Sequence, residues 1–509
     1  MHTPLPTPRE MAHWDDLAIR EAGIMGEILM ENASREALRV LLSEGPDLEG
    51  AFALFFAGSG NNGGDAFAMA RHASDRGARC LVLHTRSLEN YRGEALYHAR
   101  LCRDCGVEMA LLSEQDPDSL PHPDILVDGL LGTGFSGELR QDYLDWVRWI
   151  NRTGERAFVL ALDIPSGMNG ENGRTGGEAV RADCTVTFGA CKSGLSFPEA
   201  REYTGDLHVA HIGIPGWIRE NHPPALLALD EGVFDYFPRP DPGMHKGKAG
   251  HVLIVGGSWG MTGAPALAGL GALRSGAGLV TVACPADICG QVRQGWPELM
   301  AVPLQPGDRW SEDSFAELKK ELSRFDAVVL GPGLGRDSGA IDFVRTYLSR
   351  SCLPTVFDAD ALFALSRERS LMSNLSRDDV LTPHPGEMAR LLQSSVEQIQ
   401  QDRVETARSA AKETGCSIVL KGPGSVVGHP EYPDVISPYS CFNLAVGGSG
   451  DVLAGVIGSL MARGLPSQRA ACLGVYWHGK AGEYLESPYP WRGNLAQDIA
   501  HALPYCINT

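Results

Sequence analysis

The chain has 509 residues, of which 43% are hydrophobic and 21% are charged, and its formal net charge is −19. This length favours two or three domains over one compact core. The negative charge argues against binding nucleic acid through its phosphates, which requires a basic face, but backbone N–H groups can still hold a small anion. No run of about 18 apolar residues occurs, and the first residues, MHTPLPTPRE, do not resemble a secretory signal. We therefore expect a cytoplasmic protein that interacts with neither membrane nor nucleic acid.

The twelve cysteines are scattered along the chain. Cys102 and Cys105 form one C-x-x-C pair, but a second pair at the spacing of a zinc ribbon is missing from the sequence. We interpret them as two thiols on a helix of a cytosolic protein; a redox or metal site is the alternative.

Short apolar runs alternate with helical stretches over roughly the first 220 residues. Apolar residues recur at helical spacing over 15–42. Further along, the pattern predicts strands at 51–58, 79–84, 124–134, 157–167 and 184–190, and helices at about 65–76, 90–105 and 140–152. Continuous apolar strands between helices indicate a parallel sheet that is covered on both faces.

This alternation stops between about 215 and 245, where the chain contains six prolines and no sustained period. It then restarts, with predicted strands at 251–257, 278–284, 326–333, 354–360 and 417–424, and predicted helices at 262–275 and from about Gly450. We therefore predict an α/β protein with two domains, at 1–220 and 243–509, joined by a linker at 221–242.

Open α/β sheets bind their ligands beyond the carboxyl ends of the strands. Several polar or glycine-rich segments follow a strand-like run or open a helix, and they are candidates for this edge: GSGNNGGD, DGLLGTGFSG, LDIPSG, GGSWGMTGA, GPGLG, DAD, TPHPGE, KGPGS and GGSGD. The fact that all of these segments share this position indicates a ligand-binding edge more specifically than any single motif does.

The segment GSGNNGGD at 58–65 satisfies the pattern G-x-G-x-x-G. A dinucleotide-binding fold also needs an acidic residue at the end of the next strand, where it holds a ribose hydroxyl. His84, Thr85 and Arg86 stand at that place instead. The segment is therefore better interpreted as a different kind of anion cradle, formed by turning glycines and the positive end of a helix.

Oxygen-bearing side chains at three strand ends can form a cation site beside this cradle. Asn62 offers an amide carbonyl, Asp128 and Asp163 offer carboxylates, and Ser166 offers a hydroxyl. Such oxygens suit an alkali or alkaline-earth cation. The alternative is that these residues only form turns.

Four segments, MENASREAL (30–38), GSGNNGGD, DGLLGTGFSGE and LDIPSG, resemble the NAD(P)H-hydrate epimerase family, or YjeF N-terminal domain, over about residues 1–220. The resemblance implies a Rossmann-like three-layer sandwich, a potassium ion held by Asn62, Asp128 and Ser166, and proton transfer by Asp163. The family usually has glycine where this chain has Ala66. The implied substrate-binding residues are Asn61, Asn62, Gly63, Gly64, Asp65, Gly132, Thr133, Gly134, Phe135, Ser136, Gly137, Glu138 and Asp163.

In the C-terminal half, NLAVGGSGD at 443–451 places glycines before a predicted helix and Asp451 in its first turn. Such glycines form an anion hole, and the aspartate can act as a base toward a substrate hydroxyl; a simple helix cap is the alternative. A Walker loop is missing from the sequence, which disfavours a P-loop ATPase.

His384 lies between two prolines in TPHPGE, and Glu387 follows three residues later. From the sequence alone, His384 can have either a functional or a structural role.

Residues 243–509 resemble the ADP-dependent NAD(P)H-hydrate dehydratase family of the ribokinase-like superfamily. The matching segments include HKGKAGHVLIVGGSWGMTGAPALAGLGALRSGAGLV, GPGLG, DAD, LTPHPGEMARLL, KGPGS and GGSGDVLAGVIG. The resemblance implies magnesium and makes Asp451 the catalytic base. It also implies ADP at Lys421, Gly422, Pro423, Gly424, Ser425 and Gly450, and the hydrated nucleotide at Ala264, Gly335, His384 and Asp451.

Together the two resemblances imply a bifunctional repair enzyme that we expect to be a homo-oligomer. It would interconvert the R and S epimers of hydrated NADH and NADPH (NADHX and NADPHX), and would dehydrate the S form with ADP, giving AMP and phosphate. Two alternatives stay open: a small-molecule kinase of the ribokinase-like class, which shares the glycine–aspartate site, and a non-catalytic nucleotide- or protein-binding N-terminal domain.

Overall fold

The computed structural model describes residues 2–239 and 242–507. The chain divides into two compact units: an N-terminal unit, Pro4–Leu226, and a C-terminal unit, Leu227–Thr509 together with Met1–Thr3. Two sheets with mainly parallel strands are found in the described residues, and helices accompany both. The predicted α/β class with parallel sheets is confirmed. None of the helices in this part of the chain is both long and apolar enough to cross a membrane.

The sheet of the N-terminal unit has seven strands in the order β4-β3-β2-β5-β6-β7-β8, and every neighbouring pair is parallel. The predicted strands correspond to β2, β3, β5, β6 and β7, whereas β4 and β8 were not predicted. The strands are β2 (Phe52–Ala57), β3 (Arg79–His84), β4 (Glu108–Leu111), β5 (Ile125–Gly129), β6 (Phe158–Leu162), β7 (Cys184–Phe188) and β8 (Asp206–Ala210); β1 (His2–Pro4) belongs to the second sheet.

The helical pattern at 15–42 belongs to two helices, which are separated at Gly23 by a left-handed conformation with φ of 70°. The helices of this unit are α1 (Pro8–Arg20), α2 (Gly26–Glu44), α3 (Asn61–Asp75), α4 (Gly93–Asp104), α5 (Gln141–Thr153), α6 (Arg201–Thr204) and α7 (Gly216–Asn221).

Helix α3 begins at Asn61, earlier than the predicted start near Asp65. The paired glycines therefore lie in its first turn instead of forming a loop before it. A Cβ at position 63 would overlap the carbonyl oxygen of Gly58. Glycine is needed there because the helix begins in close contact with the end of β2.

The sheet of the C-terminal unit has eleven strands in the order β1-β9-β18-β17-β16-β15-β14-β13-β10-β11-β12. Pairing is parallel from β12 to β16 along this order and antiparallel for β16–β17 and β17–β18. The strands are β9 (Leu226–Leu229), β10 (His251–Val255), β11 (Leu279–Pro285), β12 (Met300–Leu304), β13 (Ala327–Leu330), β14 (Thr355–Phe357), β15 (Val380–Leu381), β16 (Ser417–Leu420), β17 (Val426–Gly428) and β18 (Asp434–Ile436).

Helices α8 and α16 pack closely against each other. A Cβ at Gly455 would overlap the carbonyl oxygen of Ala268, so a larger residue would push the helices apart. The helices of the unit are α8 (Gly263–Arg274), α9 (Cys289–Val292), α10 (Glu312–Leu318), α11 (Ser338–Arg350), α12 (Asp360–Arg367), α13 (Pro385–Leu392), α14 (Val396–Gln401), α15 (Arg403–Thr414), α16 (Ser449–Ala462), α17 (Ser467–Tyr484) and α18 (Ala496–Ala502).

The proline-rich segment at 215–245 contains α7, β9 and a 3-10 helix at Glu231–Tyr236, which the sequence pattern did not predict. Two residues of the predicted linker, 240 and 241, lie outside the described residues.

Each sheet has a point where the strand order reverses. In the N-terminal unit it lies between β2 and β5, and in the C-terminal unit between β10 and β13. Ligands of open α/β sheets bind in the crevice beyond such a point. The segments that follow these strands include GSGNNGGD after β2, GGSWGMTGA after β10 and GPGLG after β13. Segments selected from the sequence therefore lie where the topology predicts a ligand-binding crevice.

Candidate active sites

A cavity of about 580 Å³ lies beyond the carboxyl ends of β2, β5, β6 and β7 in the N-terminal unit. Gly63, Gly64, Gly137 and Glu138, which the sequence also predicted to contact the substrate, are not among its lining residues. The predicted site residues that do line it are Asn61, Asn62, Asp65, Gly132, Thr133, Gly134, Phe135, Ser136 and Asp163.

The three predicted potassium ligands lie together around the backbone of Leu131. The amide of Asn62 donates a hydrogen bond to the carbonyl oxygen of Leu131 at 2.6 Å. The Leu131 N–H in turn donates to the hydroxyl of Ser166 at 2.8 Å. Ser166 donates to Asp128 through its hydroxyl at 2.6 Å and through its backbone N–H at 2.7 Å. Residues from α3, β5 and the loop after β6 thus form one polar cluster.

The donor atoms of this cluster suit a cation. The side-chain oxygen of Asn62 is buried, and no hydrogen-bond partner for it exists among the described residues. Burial raises the pKa of Asp128 to about 6, although hydrogen bonds from Ser166 and Leu130 oppose the shift. A buried carboxylate and an unused amide oxygen are both stabilised by a bound hard cation.

Asp163 and Lys192 form a buried ion pair at the wall of the cavity. The ammonium of Lys192 contacts Oδ1 of Asp163 and also donates to Thr187 Oγ1 at 3.1 Å and to the carbonyl of Phe188 at 2.6 Å. Its side chain is 2% exposed. Asp163 itself has φ of 59°, a left-handed conformation that aspartate and asparagine adopt more readily than most residues. The sequence analysis selected Asp163 but not Lys192.

Two more carboxyl groups line the same cavity, and both are shifted toward the neutral form. Burial raises the pKa of Asp15 to about 6, and the nearby Asp163 adds to the rise while Lys192 opposes it. Burial also raises the pKa of Asp65 well above its ordinary value, again with a contribution from Asp163. Asp15 Oδ1 is buried without a hydrogen-bond partner in the described structure. The cavity therefore holds two carboxyl groups with raised pKa values, a property that general acid–base chemistry uses.

The C-terminal unit gathers carboxylates around one lysine. Nζ of Lys421 donates to Asp358 Oδ1 at 2.7 Å and lies 3.9 Å from Glu387 Oε2. A Cβ placed on Gly450 would be 3.1 Å from the same Nζ, so the start of α16 lies directly against it. Burial opposes the charge of Lys421, but Asp358 and Glu387 outweigh it and raise the pKa of the ammonium. Lys421 therefore stays cationic beside α16.

Asp451, in the first turn of α16, belongs to this cluster. Burial raises its pKa to about 8, and Asp358 adds to the rise while Lys421 opposes it. A carboxyl group with this pKa is mostly protonated at neutral pH and is matched to proton transfer near pH 8. The N-cap residue of α16 is Gly448, so Asp451 is not the capping residue of this helix.

Three other predicted residues lie in the neighbouring segments. The N–H of Gly335 donates to Asp360 Oδ2 at 2.9 Å. Gly333, two residues earlier, is packed against α8, because a Cβ on it would be 3.3 Å from the Cβ of Ala264. The N–H of His384 donates to Glu387 Oε2 at 2.9 Å, and its imidazole is 52% exposed. His384 is thus the N-cap residue of α13 and lies next to the carboxylate that faces Lys421.

The predicted ADP-binding segment, 421–425, connects β16 to β17. Gly422 and Gly424 both have positive φ, and the hydroxyl of Ser425 donates to the Gly422 carbonyl at 3.0 Å. Arg403 supports the segment by donating to the carbonyl of Pro423 and, at 3.2 Å, to that of Leu420. The segment is therefore a turn that hydrogen bonds from Arg403 and Ser425 stabilise, and Lys421 is its first residue.

Buried His478 fixes the glycine-rich start of α16. Its Nε2 lies 3.2 Å from Ser449 Oγ and 3.1 Å from the Ser449 carbonyl oxygen. Burial lowers the pKa of His478 to about 4, so the imidazole is neutral at physiological pH. A neutral ring at this place holds the turn without adding charge to the site.

Comparisons with known proteins match both halves of the chain to described families. Residues 252–505 match the family model described as NAD(P)H-hydrate dehydratase, and residues 26–194 match the model described as YjeF-related protein N-terminus. The chain is 38% identical to the bifunctional NAD(P)H-hydrate repair enzyme Nnr of Moorella thermoacetica over 99% of this chain and 96% of that one. The chain belongs to the bifunctional NAD(P)H-hydrate repair enzyme family. The family of Nnr also includes the Escherichia coli enzyme, which is 34% identical over 99% of this chain and 95% of its own.

Among solved structures, the ADP/ATP-dependent NAD(P)H-hydrate dehydratase of Bacillus subtilis, co-crystallised with ATP and magnesium, is similar to the C-terminal part of this family member. It is 27% identical, covers 55% of this chain and 96% of its own, and has a TM-score of 0.46.

Membership in this repair enzyme family confirms the resemblance that the sequence motifs indicated for both halves of the chain. The motifs did not reveal Lys192 and Asp15 in the first site, nor the roles of Asp358 and Asp360 in the second. The DAD segment was a signal for the last two, because it follows a strand-like run. Lys192 lies in CKSG after β7, a segment without a pattern that would mark it.

Proposed function

We propose that this chain is a bifunctional NAD(P)H-hydrate repair enzyme. We assign epimerisation of the R and S hydrates of NADH and NADPH to residues 1–220, and ADP-dependent dehydration of the S hydrate to residues 243–509. The observation that carries the proposal is the full-length similarity to enzymes of that name. Two acid–base sites, Asp163 with Lys192 and Asp451 with Lys421, give each half a centre for proton transfer.

Epimerisation requires the hydroxyl group to leave the hemiaminal carbon and water to return on the other face. An acid protonates the hydroxyl as its C–O bond breaks, and the ring nitrogen supplies the electron pair for a C=N bond. Water then adds to this bond and gives its proton to a carboxylate. We assign the proton transfers to Asp163, with Asp65 and Asp15, whose pKa values are both raised, as nearby proton-carrying groups, because all three line one cavity. The segment from Gly132 to Ser136 would hold the nucleotide.

Potassium fits the cluster of Asn62, Asp128 and Ser166, because Asn62 supplies a buried oxygen without a partner in the described structure. When bound, the ion supplies a fixed positive charge beside a substrate phosphate. We propose that its removal weakens substrate binding and leaves the proton-transfer groups in place.

Substitution of Asn62 by alanine should abolish the specific effect of potassium. In the wild type, potassium chloride should raise the melting temperature of the N-terminal domain above its value in choline chloride of equal ionic strength. A ligand present at ten times its Kd stabilises a folded domain by about 1.4 kcal/mol. Asn62→Ala should lose this difference, whereas Asn61→Ala should keep it, because Asn61 lies outside the cluster. An unchanged difference in Asn62→Ala would contradict the site.

Dehydration is proposed to proceed through phosphorylation of the hydrate. Asp451 takes the proton of the hydrate hydroxyl, whose oxygen attacks the β-phosphorus of ADP while the bond to AMP breaks. Phosphate then leaves the ring carbon with the bonding electrons, and loss of a proton from the neighbouring carbon restores the dihydropyridine. Lys421 and the N–H groups from Gly447 to Gly450 stabilise the phosphoryl oxygens. Ser425 and its neighbours hold the nucleotide.

Among residues 2–239 and 242–507, no group of three or more His, Cys, Asp or Glu side chains is arranged to hold a metal ion. We therefore propose magnesium as a partner of the nucleotide phosphates. Preference for ADP over ATP, a homo-oligomeric assembly and a cytoplasmic location remain predictions.

The proposal is tested with purified R and S hydrates of NADH. The S hydrate with magnesium and ADP should regain the absorbance of reduced nicotinamide and release AMP and phosphate. The R hydrate should regain it too, since epimerisation supplies the S form. Parallel reactions with ATP determine the nucleotide preference. A stable phosphorylated product without recovered absorbance would overturn the proposal in favour of a small-molecule kinase.

A further inference from the structure

Two cysteines of the C-terminal unit face each other outside the groups that the proposed reaction uses. Cys284 lies near the end of β11, and Cys289 is the first residue of α9. Their sulfur atoms are 3.2 Å apart. Cys284 is buried, whereas Cys289 is partly exposed to solvent. One sulfur is therefore accessible to an oxidant, and the other is its nearby partner.

We propose that Cys284 and Cys289 are a modification site that closes to an intramolecular disulfide when the protein meets a peroxide. Bond formation requires the sulfurs to approach from 3.2 Å to about 2.05 Å, a closure of about 1.1 Å. Pro285 ends β11, and the other residues between the two cysteines form a single 3-10 turn, Ala286–Ile288, so the movement is confined to one segment.

The structure indicates which sulfur reacts first. A hydrogen bond joins the sulfurs of Cys284 and Cys289, and this bond, aided by the guanidinium of Arg293, lowers the pKa of Cys289 against the effect of burial. The same pairing raises the pKa of Cys284. Because the thiolate is the reactive form, Cys289 is the nucleophile toward the oxidant.

The chemistry balances with hydrogen peroxide as the oxidant. The Cys289 thiolate attacks one peroxide oxygen, the O–O bond breaks, and a sulfenic acid forms while the departing hydroxide takes a proton and becomes water. The Cys284 sulfur then attacks the sulfenic sulfur, the S–O bond breaks, and a second water leaves. The two cysteines lose two electrons in total, and one peroxide is reduced to two waters.

Formation of the disulfide would move the loop after β10. A Cβ on Gly257 would be 3.2 Å from Ile288 and 3.7 Å from Val292, so this loop packs on the turn and helix that carry Cys289. The Gly257 N–H donates to the carbonyl of Pro332 at 2.9 Å, which ties the loop to the GPGLG segment. Formation of the disulfide between Cys284 and Cys289 should therefore displace the proposed hydrate-binding segments near Ala264. This consequence, unlike the modification, rests on the proposed function.

The test uses the full-length protein and mass spectrometry. Cys284 and Cys289 lie on one tryptic peptide, residues 275–293, because no lysine or arginine lies between Arg274 and Arg293. After treatment with hydrogen peroxide and then iodoacetamide, this peptide should be unalkylated and lighter by two hydrogen atoms, and a thiol reductant should reverse the change. Exposed Cys352 is the reference for general oxidation. Alkylation of both cysteines after Cys352 has been oxidised would overturn the proposal.

Two variants keep the test decisive. Cys284→Ser removes the partner sulfur but keeps a hydrogen-bonding group next to Cys289, so Cys289 should accumulate as a sulfenic acid that dimedone labels, whereas the wild type should not be labelled there. Cys289→Ser should leave Cys284 reduced under the same treatment. In the oxidised wild type, the KM for the S hydrate should rise several-fold and recover with reductant, while epimerisation by the same chain is unchanged. A disulfide that forms without changing KM would overturn the link to the loop.

Discussion

Replacing Asp451 by asparagine should lower the rate of ADP-dependent dehydration by a factor of about 10² to 10⁴, the usual range for loss of a general base. Asparagine has nearly the same shape and keeps a hydrogen-bonding oxygen, but it cannot take the proton of the hydrate hydroxyl. The measurement is the recovery of reduced-nicotinamide absorbance from the S hydrate with ADP and magnesium. Full activity of the variant would remove Asp451 from the mechanism.

The pH dependence of the wild type provides a separate readout of the same role. Because the pKa of Asp451 is raised to about 8, its carboxylate form increases as pH rises through that value. The kcat/KM for dehydration should therefore rise from pH 7 and level off above about pH 9, with roughly a tenth of the plateau value at pH 7. An aspartate with only a structural role would not produce this rise of kcat/KM with pH. A flat profile over this range would contradict the assignment.

Stability measurements separate chemistry from misfolding in this variant. Burial and the neighbouring carboxylates of Asp358, Asp360 and Glu387 disfavour a charge on Asp451, so folding carries the free-energy cost of protonating this group or burying its charge. Asparagine removes this cost. We expect the melting temperature of Asp451→Asn to be equal to or above that of the wild type. Asp342→Asn is the matched control, because it makes the same change on a half-exposed side chain of α11 that pairs with Arg345. It should leave dehydration unchanged.

The sequence predicted those parts of each site that are local in the chain. Glycines, Asn62, Asp163 and Asp451 follow strands or open helices, and sheet topology brings the ends of neighbouring parallel strands to one edge. A motif that ends a strand is therefore also a motif at the ligand-binding edge. This physical link explains why the structure brings residues that are far apart in sequence to the same edge of each sheet.

The sequence did not predict partners that depend on tertiary packing. Lys192 reaches Asp163 across 29 residues, and Lys421 reaches Asp358 across 63. Neither pair has a fixed spacing, because loop lengths between strands vary while the strand ends still meet. Short strands were missed for a related reason: β15 has two residues, too few for any periodic pattern.

Substitution of Asp163 by asparagine should reduce epimerisation by about a hundredfold or more, toward the spontaneous rate. The choice of asparagine follows from the backbone. Asp163 has φ of 59°, and alanine in this left-handed region would cost roughly 1–2 kcal/mol of strain, which would confuse loss of chemistry with loss of structure. Asparagine tolerates this conformation and can still accept the hydrogen bond from Lys192.

The measurement is chromatographic exchange between the R and S hydrates without ADP, so that dehydration does not consume the S form. Dehydration of pure S hydrate, measured separately with ADP, is the internal control and should be unchanged. Asp142→Asn makes the same chemical change on an exposed side chain of α5 and should exchange the epimers at the wild-type rate. Exchange at the wild-type rate by Asp163→Asn would exclude its carboxylate from proton transfer.

Lys192→Met is the complementary variant, and it should also lose most epimerisation, for an electrostatic reason. Without the ammonium, Asp163 has no counter-ion, while Asp15 and Asp65 already share the cavity with it. Thr187 and Phe188 also lose a buried donor, at a cost of about 1–3 kcal/mol each, so this variant should melt at a lower temperature than Asp163→Asn. If Asp163→Asn is inactive but as stable as the wild type, the loss follows from the missing carboxylate, because the lysine and its other hydrogen bonds are still in place.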